Sequence, residues 1–265
     1  MNKMGIIQTD KWMKDQFDSP IKICEKLLPY FKELTADQIY NQLLKFGMYK
    51  PSWPTKRNLD LMNDKKVWEQ VRDIFENYHD KWSGPDVPIF LFPLGQNRGL
   101  FMRQVNTKSG VSFPDKMFLF ISDVSDPKEI EALFVHEYHH VCRLKKQTKK
   151  MEANTLLDSL IIEGLAEYAV LKNCGESYLA NWCQMYSKKE IVAFWNTYLK
   201  GHLGVQKNER KHDDLLYGRG RYPALLGYAA GFAIVENYYK DNNYSEKLSF
   251  SKEAPDFLGD NSVFC

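Results

Sequence analysis

Apolar positions recur at helical spacing through residues 21–34, 39–46 and 67–82, so the first third of the chain predicts helices. Pro51-Ser52-Trp53-Pro54 interrupts the pattern between the second and third of them. From Val87 the pattern shortens. Residues 89–92, 100–105 and 117–121 are aromatic and β-branched runs separated by Gly- and Pro-containing turns, which predicts three strands of a small sheet. Ser125-Asp126-Pro127-Lys128-Glu129 then reads as a helix start: Asp126 is the cap, Pro127 suits the first position, and Glu129 completes a capping box. That helix is expected to run through His140 to about Leu144. A second is expected over residues 156–172, stopped by Asn173 and Gly175, and two more over 188–199 and 225–239. Helices, then strands, then helices predict an α+β fold, mostly helical, with a small mixed sheet packed on the helix that holds His136 and His140. The expected organisation is an N-terminal helical region, 1–85, and a core, 86–265, which can equally form one continuous domain.

At 265 residues and 44% hydrophobic, the chain has enough apolar side chains for a substantial core. Thirty-six basic residues against thirty-four acidic ones leave a net charge of +2, which provides no global field for a polyanion, and no nucleic-acid partner is expected. No eighteen apolar residues run together, and the first ten residues lack the apolar stretch of a signal peptide. No membrane span and a cytoplasmic location are therefore expected. The five cysteines (24, 142, 174, 183 and 265) are odd in number and form no C-x-x-C pair, so reduced, mostly buried thiols are expected.

The chemistry concentrates in His136-Glu137-Tyr138-His139-His140. On a helix, residues four apart share a face, so His136 and His140 can present ring nitrogens to one point, and two neutral imidazoles suit Zn²⁺. Glu137, set slightly aside, can take a proton from a metal-activated water. His139 is expected to turn off the metal face, and Cys142 to be a packed thiol. A catalytic zinc needs a third protein ligand. Glu163, in Ile162-Glu163-Gly164-Leu165-Ala166-Glu167-Tyr168, follows His140 after 22 intervening residues, room for a reversal onto a second helix. Gly164 permits close helix approach, and Glu167, one turn on, can accept the outer N–H of a ligand histidine. On spacing alone the roles of Glu163 and Glu167 are interchangeable, and both also fit a solvated helix face; His136 and His140 also fit an ordinary surface pair.

The motif and its order resemble the gluzincin metallopeptidases, in which a glutamate ligand follows H-E-x-x-H on a second helix. The whole chain resembles the YjaZ-type family of predicted zinc-dependent proteases, catalogued as a domain of unknown function. The resemblance is carried by Thr9-Asp10-Lys11-Trp12, by residues 136–140, by Glu163-Gly164-Leu165-Ala166-Glu167, and by Gly227-Tyr228-Ala229-Ala230-Gly231-Phe232. It implies a gluzincin-like core with one zinc per chain at His136, His140 and Glu163, Glu137 as base, and a peptide or protein substrate. Gluzincins also use a tyrosine or histidine from the C-terminal part of the domain to stabilise the oxyanion. Tyr228, between Gly227 and Gly231 at a helix start, is the first candidate, with Tyr222, Arg221 and His212 in reserve; His202 and His79 are set apart from the chemistry. Peptidases of this type commonly take substrate as an added strand at a sheet edge, and residues 117–121 are the candidate edge, although an equally apolar run suits a central strand. The expected function is zinc-dependent peptide-bond hydrolysis. The alternative is a metal-stabilised regulatory or binding protein with a degenerate peptidase site.

Overall fold

A computed structural model describes residues 5–95, 108–122, 124–147 and 153–259. The chain divides into two compact units, Met1–Val141 and Cys142–Cys265. The boundary expected at residues 85 and 86 falls inside the first.

The first unit contains helices α1 (Thr9–Gln16), α2 (Pro20–Glu25), α3 (Ala36–Leu44), α4 (Trp53–Asp64) and α5 (Val67–Trp82), strands β1 (Ile89–Pro93), β2 (Lys108–Phe113) and β3 (Lys116–Ile121), and most of helix α6 (Pro127–Lys146). The expected helix over 21–34 is cut short. Pro29 enters a separate 3-10 turn, Leu28–Tyr30, because a proline cannot donate to the preceding helical turn. The break expected at Pro51–Pro54 is instead the start of α4: Ser52 caps it reciprocally with Thr55, and Pro54 sits in the first turn where no N–H is needed.

The three strands run in the order β1-β3-β2, with β1 parallel and β2 antiparallel to β3. Every residue of β1 and β3 is buried, and Phe90 stacks on its register partner Phe118 at 4.7 Å. Residues 117–121 thus form the central strand, and the edge on that side, among the described strands, is the half-buried β2. The expected strand at 100–105 lies outside the described residues.

Hydrogen bonds from buried side chains join the helices to this sheet. Thr9 Oγ1 donates to the Leu91 carbonyl and accepts from Trp68 Nε1 at 3.0 Å, while Asn58 Nδ2 donates to the Ile121 carbonyl at 2.6 Å. Tyr138 of α6 stacks on Trp82 at 5.9 Å and donates its hydroxyl to the Pro85 carbonyl at 3.0 Å. Each bond satisfies a polar group that the core would otherwise strand.

The second unit is helical among its described residues: α7 (Leu156–Cys174), α8 (Lys188–Phe194) continuing as a π-helical turn (Trp195–Leu199), α9 (Arg210–Tyr217), α10 (Leu226–Asp241) and α11 (Glu246–Ser251), with short 3-10 turns between them. Thr155 and Asp158 cap α7 reciprocally. Leu160, Ile161, Leu165, Ala230, Ile234 and Val235 belong to one apolar core formed largely by α7 and α10. The fold is therefore α+β, with a small mixed sheet among the described residues. None of the described helices is long and apolar enough to cross a membrane. Cys24 and Cys142 are buried, and Cys174 and Cys183 are half-buried.

Candidate metal centre

Helix α6 starts where expected. The Asp126 carboxylate accepts from the Lys128 N–H at 2.8 Å, which satisfies one of the orphan donors of the first turn. The Glu129 carboxylate accepts from Lys108 Nζ of β2, so it links the helix to the sheet edge.

Two turns further on, the i,i+4 spacing brings His136 Nε2 and His140 Nε2 to 3.1 Å, with the rings edge to face at 4.7 Å. Two ligands held at about 2.0–2.1 Å from a tetrahedral zinc lie about 3.3 Å apart, so the pair already has the separation a shared ion imposes. His136, His140 and Glu163 each offer a ligand atom, and these atoms all lie within 4.8 Å of one another. Two imidazoles and a carboxylate are a donor set that zinc takes readily. His139 is fully buried with its ring edge-on to Trp82 at 6.1 Å, and Cys142 is buried too.

Glu137 is 6% exposed and lies against β2. Ser112 Oγ lies 2.6 Å from Glu137 Oε2 and 2.8 Å from the Glu137 carbonyl oxygen. A Cβ placed on Gly110 would come within 2.5 Å of Glu137 Cδ and 2.6 Å of its Oε1, so the carboxylate rests over a position that has no side chain. Lys108, Gly110 and Ser112 alternate along one face of the strand, and all three meet α6.

On α7, Gly164 meets α10. Glu167 is 3% exposed and its Oε1 accepts from the Ala180 backbone N–H, which secures the segment after α7. Burial, with the Glu167 charge second, pushes the Cys183 thiol far above its ordinary range.

Tyr228 is half-buried in the first turn of α10, its ring 5.3 Å from Trp182 and 5.9 Å from Tyr217. Tyr217 was not among the sequence candidates. Its phenol is pushed above the ordinary value first by burial and then by the Glu163 and Asp213 carboxylates, and it shares a hydrogen bond with Tyr228. Gly218 makes the tight turn that follows: it sits at φ 67°, and a Cβ there would meet the Pro223 carbonyl oxygen at 1.8 Å. Among the reserves, His212 is buried between Ser159 Oγ at 2.9 Å and Asp213 Oδ1 at 3.1 Å, Tyr222 packs on Tyr198 at 5.6 Å, and Arg221 lies exposed over the Tyr222 ring. His202 bonds the Tyr198 carbonyl within its own helical segment, and His79 bonds Asp80.

Fold and site together define an α+β protein with a His–His–Glu group on its helices that can hold a metal ion. The family model described as "Predicted Zn-dependent protease (DUF2268)" matches residues 67–259, and the chain belongs to that family. It is 34% identical over 258 residues to "Uncharacterized protein YjaZ" of Bacillus subtilis (strain 168), an alignment that spans 96% of this chain and 98% of that protein. No solved structure gives a significant match.

Proposed function

We propose that the protein is a zinc-dependent peptidase with His136, His140 and Glu163 as ligands and Glu137 as the proton acceptor. The convergence of those three ligand atoms on α6 and α7, beside a buried carboxylate, is the observation that supports the reading most directly. A zinc held there supplies acidification of a water and polarisation of a carbonyl.

The chain's own residues supply the rest. Glu137 takes a proton from the attacking water and returns it to the departing amine, a role that its place next to His136 and its buried, hydrogen-bonded carboxylate support. Tyr228 donates a hydrogen bond to the developing oxyanion, with Tyr217 as its hydrogen-bonded neighbour. Glu167 orients the ligand set from behind. The substrate is a peptide in extended form laid along β2, since β3 is closed off on both sides by β1 and β2. A cytoplasmic location accords with the reduced thiols of Cys24 and Cys183.

The test combines metal content with hydrolysis. Purified wild type is expected to hold one zinc per chain by plasma mass spectrometry and to cleave members of a quenched-fluorescent peptide library. Glu163→Ala should lose the zinc and Glu167→Ala should keep it. Glu137→Gln should keep the zinc and lose hydrolysis. Full turnover by zinc-loaded Glu137→Gln would sink the peptidase reading.

A further inference from the structure

We infer that Ser112, on strand β2, is the positioning residue that aims the Glu137 carboxylate. The inference rests on the peptidase reading only for what Glu137 then does. Ser112 Oγ is 2.6 Å from Oε2, the short distance of a hydrogen bond to a charged acceptor. A hydroxyl has one proton to give, and Ser112 has a second acceptor, the Glu137 carbonyl oxygen, at 2.8 Å. The donor is therefore never stranded. It binds the carboxylate while that group is charged, and it can turn to the carbonyl when Glu137 holds a proton.

Ser112 alone would fix one oxygen and leave the carboxylate free to swing. Gly110 removes that freedom from the other side. Its missing side chain is the space the carboxylate fills, with a built Cβ 2.5 Å from Cδ and 2.6 Å from Oε1. Gly110 and Ser112 are two apart, so both meet Glu137 from the same face of the strand. With Oε2 engaged by Ser112, Oε1 is the oxygen left to receive a proton. The strand next to the helix thus sets which oxygen of the base works, and the helix alone does not.

The register adds a consequence. Phe113 pairs with Lys116 across a two-residue turn, so alternation along the antiparallel ladder turns the backbone N–H and C=O of Ser112 and Gly110 away from β3. A peptide added along that edge would meet the same two residues whose other face holds the base. Substrate register and base orientation would then be set by one strand.

The experiment compares Ser112→Ala, Ser112→Thr and Ser112→Cys with wild type and Glu137→Gln, in the full chain. Zinc content, kcat and KM on one cleaved library peptide, and crystal structures of the zinc-free proteins are measured. Loss of a hydrogen bond to a charged group should lower kcat by between about tenfold and a hundredfold in Ser112→Ala. KM and zinc content should stay within about twofold, and Thr, which keeps the hydroxyl, should restore most of kcat. In zinc-free Ser112→Ala crystals the carboxylate should leave its place over Gly110, and in Ser112→Thr it should stay. Ser112→Cys keeps the volume with a weak donor, and serves in place of alanine should that variant fold poorly. A wild-type kcat in Ser112→Ala, alongside an inactive Glu137→Gln, would overturn the assignment and leave the peptidase reading intact. If Glu137→Gln itself turns over normally, the peptidase reading fails, and the position of Glu137 in the zinc-free variants still decides whether Ser112 holds it.

Discussion

Gly164 of α7 and Gly231 of α10 meet backbone to backbone: a Cβ on Gly164 would lie 2.2 Å from the Gly231 carbonyl oxygen, and one on Gly231 would lie 2.0 Å from that of Leu160. Both contacts are with main chain, which cannot swing aside as a flexible side chain can. Gly164→Ala should therefore force the two helices apart and cost about 1–3 kcal/mol, read as a lower urea midpoint with an unchanged slope. Glu163 is the preceding residue, so the same variant should also bind zinc more weakly in a competition titration with a chromogenic chelator. Stability and affinity unchanged from wild type would show that the crossing yields more easily than its backbone contacts imply.

Metal removal should reveal whether the histidine pair is coupled to folding. An ion that binds only the folded chain stabilises it by about 2.7 kcal/mol when its free concentration is roughly a hundredfold above Kd. Dialysis against a chelator should lower Tm by several degrees, and added zinc should restore it. In His140→Ala, zinc should have no such effect, because the 3.1 Å pairing of ring nitrogens is gone. Differential scanning fluorimetry with and without zinc reads both results.

A pH dependence follows from Cys24. Burial first, and the Asp37 charge second, push its thiol up to about 12 from an ordinary 9.0. The native state thus keeps this proton where the unfolded chain gives it up. A raised native pKa contributes stability that is complete below pH 9 and is lost as pH climbs from 9 towards 12. Urea unfolding at pH 8 and pH 10.5 should show wild type losing on the order of 1–2 kcal/mol more than Cys24→Ala over that interval. Tyr40 and Tyr49 are raised chiefly by burial but in part by the Cys24 charge, so the difference between the two proteins reads the thiol together with its coupling to these phenols.

The elements that could be read in advance are those whose side chains face a core. Val67–Trp82 was legible to the residue because its apolar stripe packs inward, and the buried strands β1 and β3 matched their aromatic runs to within one residue. Strand β2 was missed. Lys108-Ser109-Gly110-Val111-Ser112-Phe113 has neither alternation nor β-branched density, and its glycine with Pro114 read as a turn. A glycine inside a strand also marks a close approach by another group, and that was the one available signal for the contact with Glu137. The i,i+4 histidines were legible because helical geometry alone pairs them. Tyr217 was not, because the tight turn at Gly218 that follows it joins groups distant in periodicity.

Arg143, 4% exposed, donates from one guanidinium nitrogen to the Ser249 carbonyl at 2.5 Å and from another to the Lys252 carbonyl at 2.9 Å. Burial lowers its pKa to about 10, with the Glu253 and Asp158 carboxylates opposing the shift, so it is charged at neutral pH. A planar fork reaches both carbonyls at the end of α11, and a lysine ammonium on a single stem cannot match that geometry. Arg143→Lys should cost about 1–2 kcal/mol, and Arg143→Met about 3 kcal/mol, since methionine fills the volume but leaves one buried and one part-buried acceptor unmet. Both variants should speed hydrogen exchange in residues 246–252 before they affect α7 or α10, because the lost bonds secure that segment alone. Equal protection of all three helices in Arg143→Met and wild type would mean that the apolar contacts of Phe250 and Phe257 hold the segment without the guanidinium.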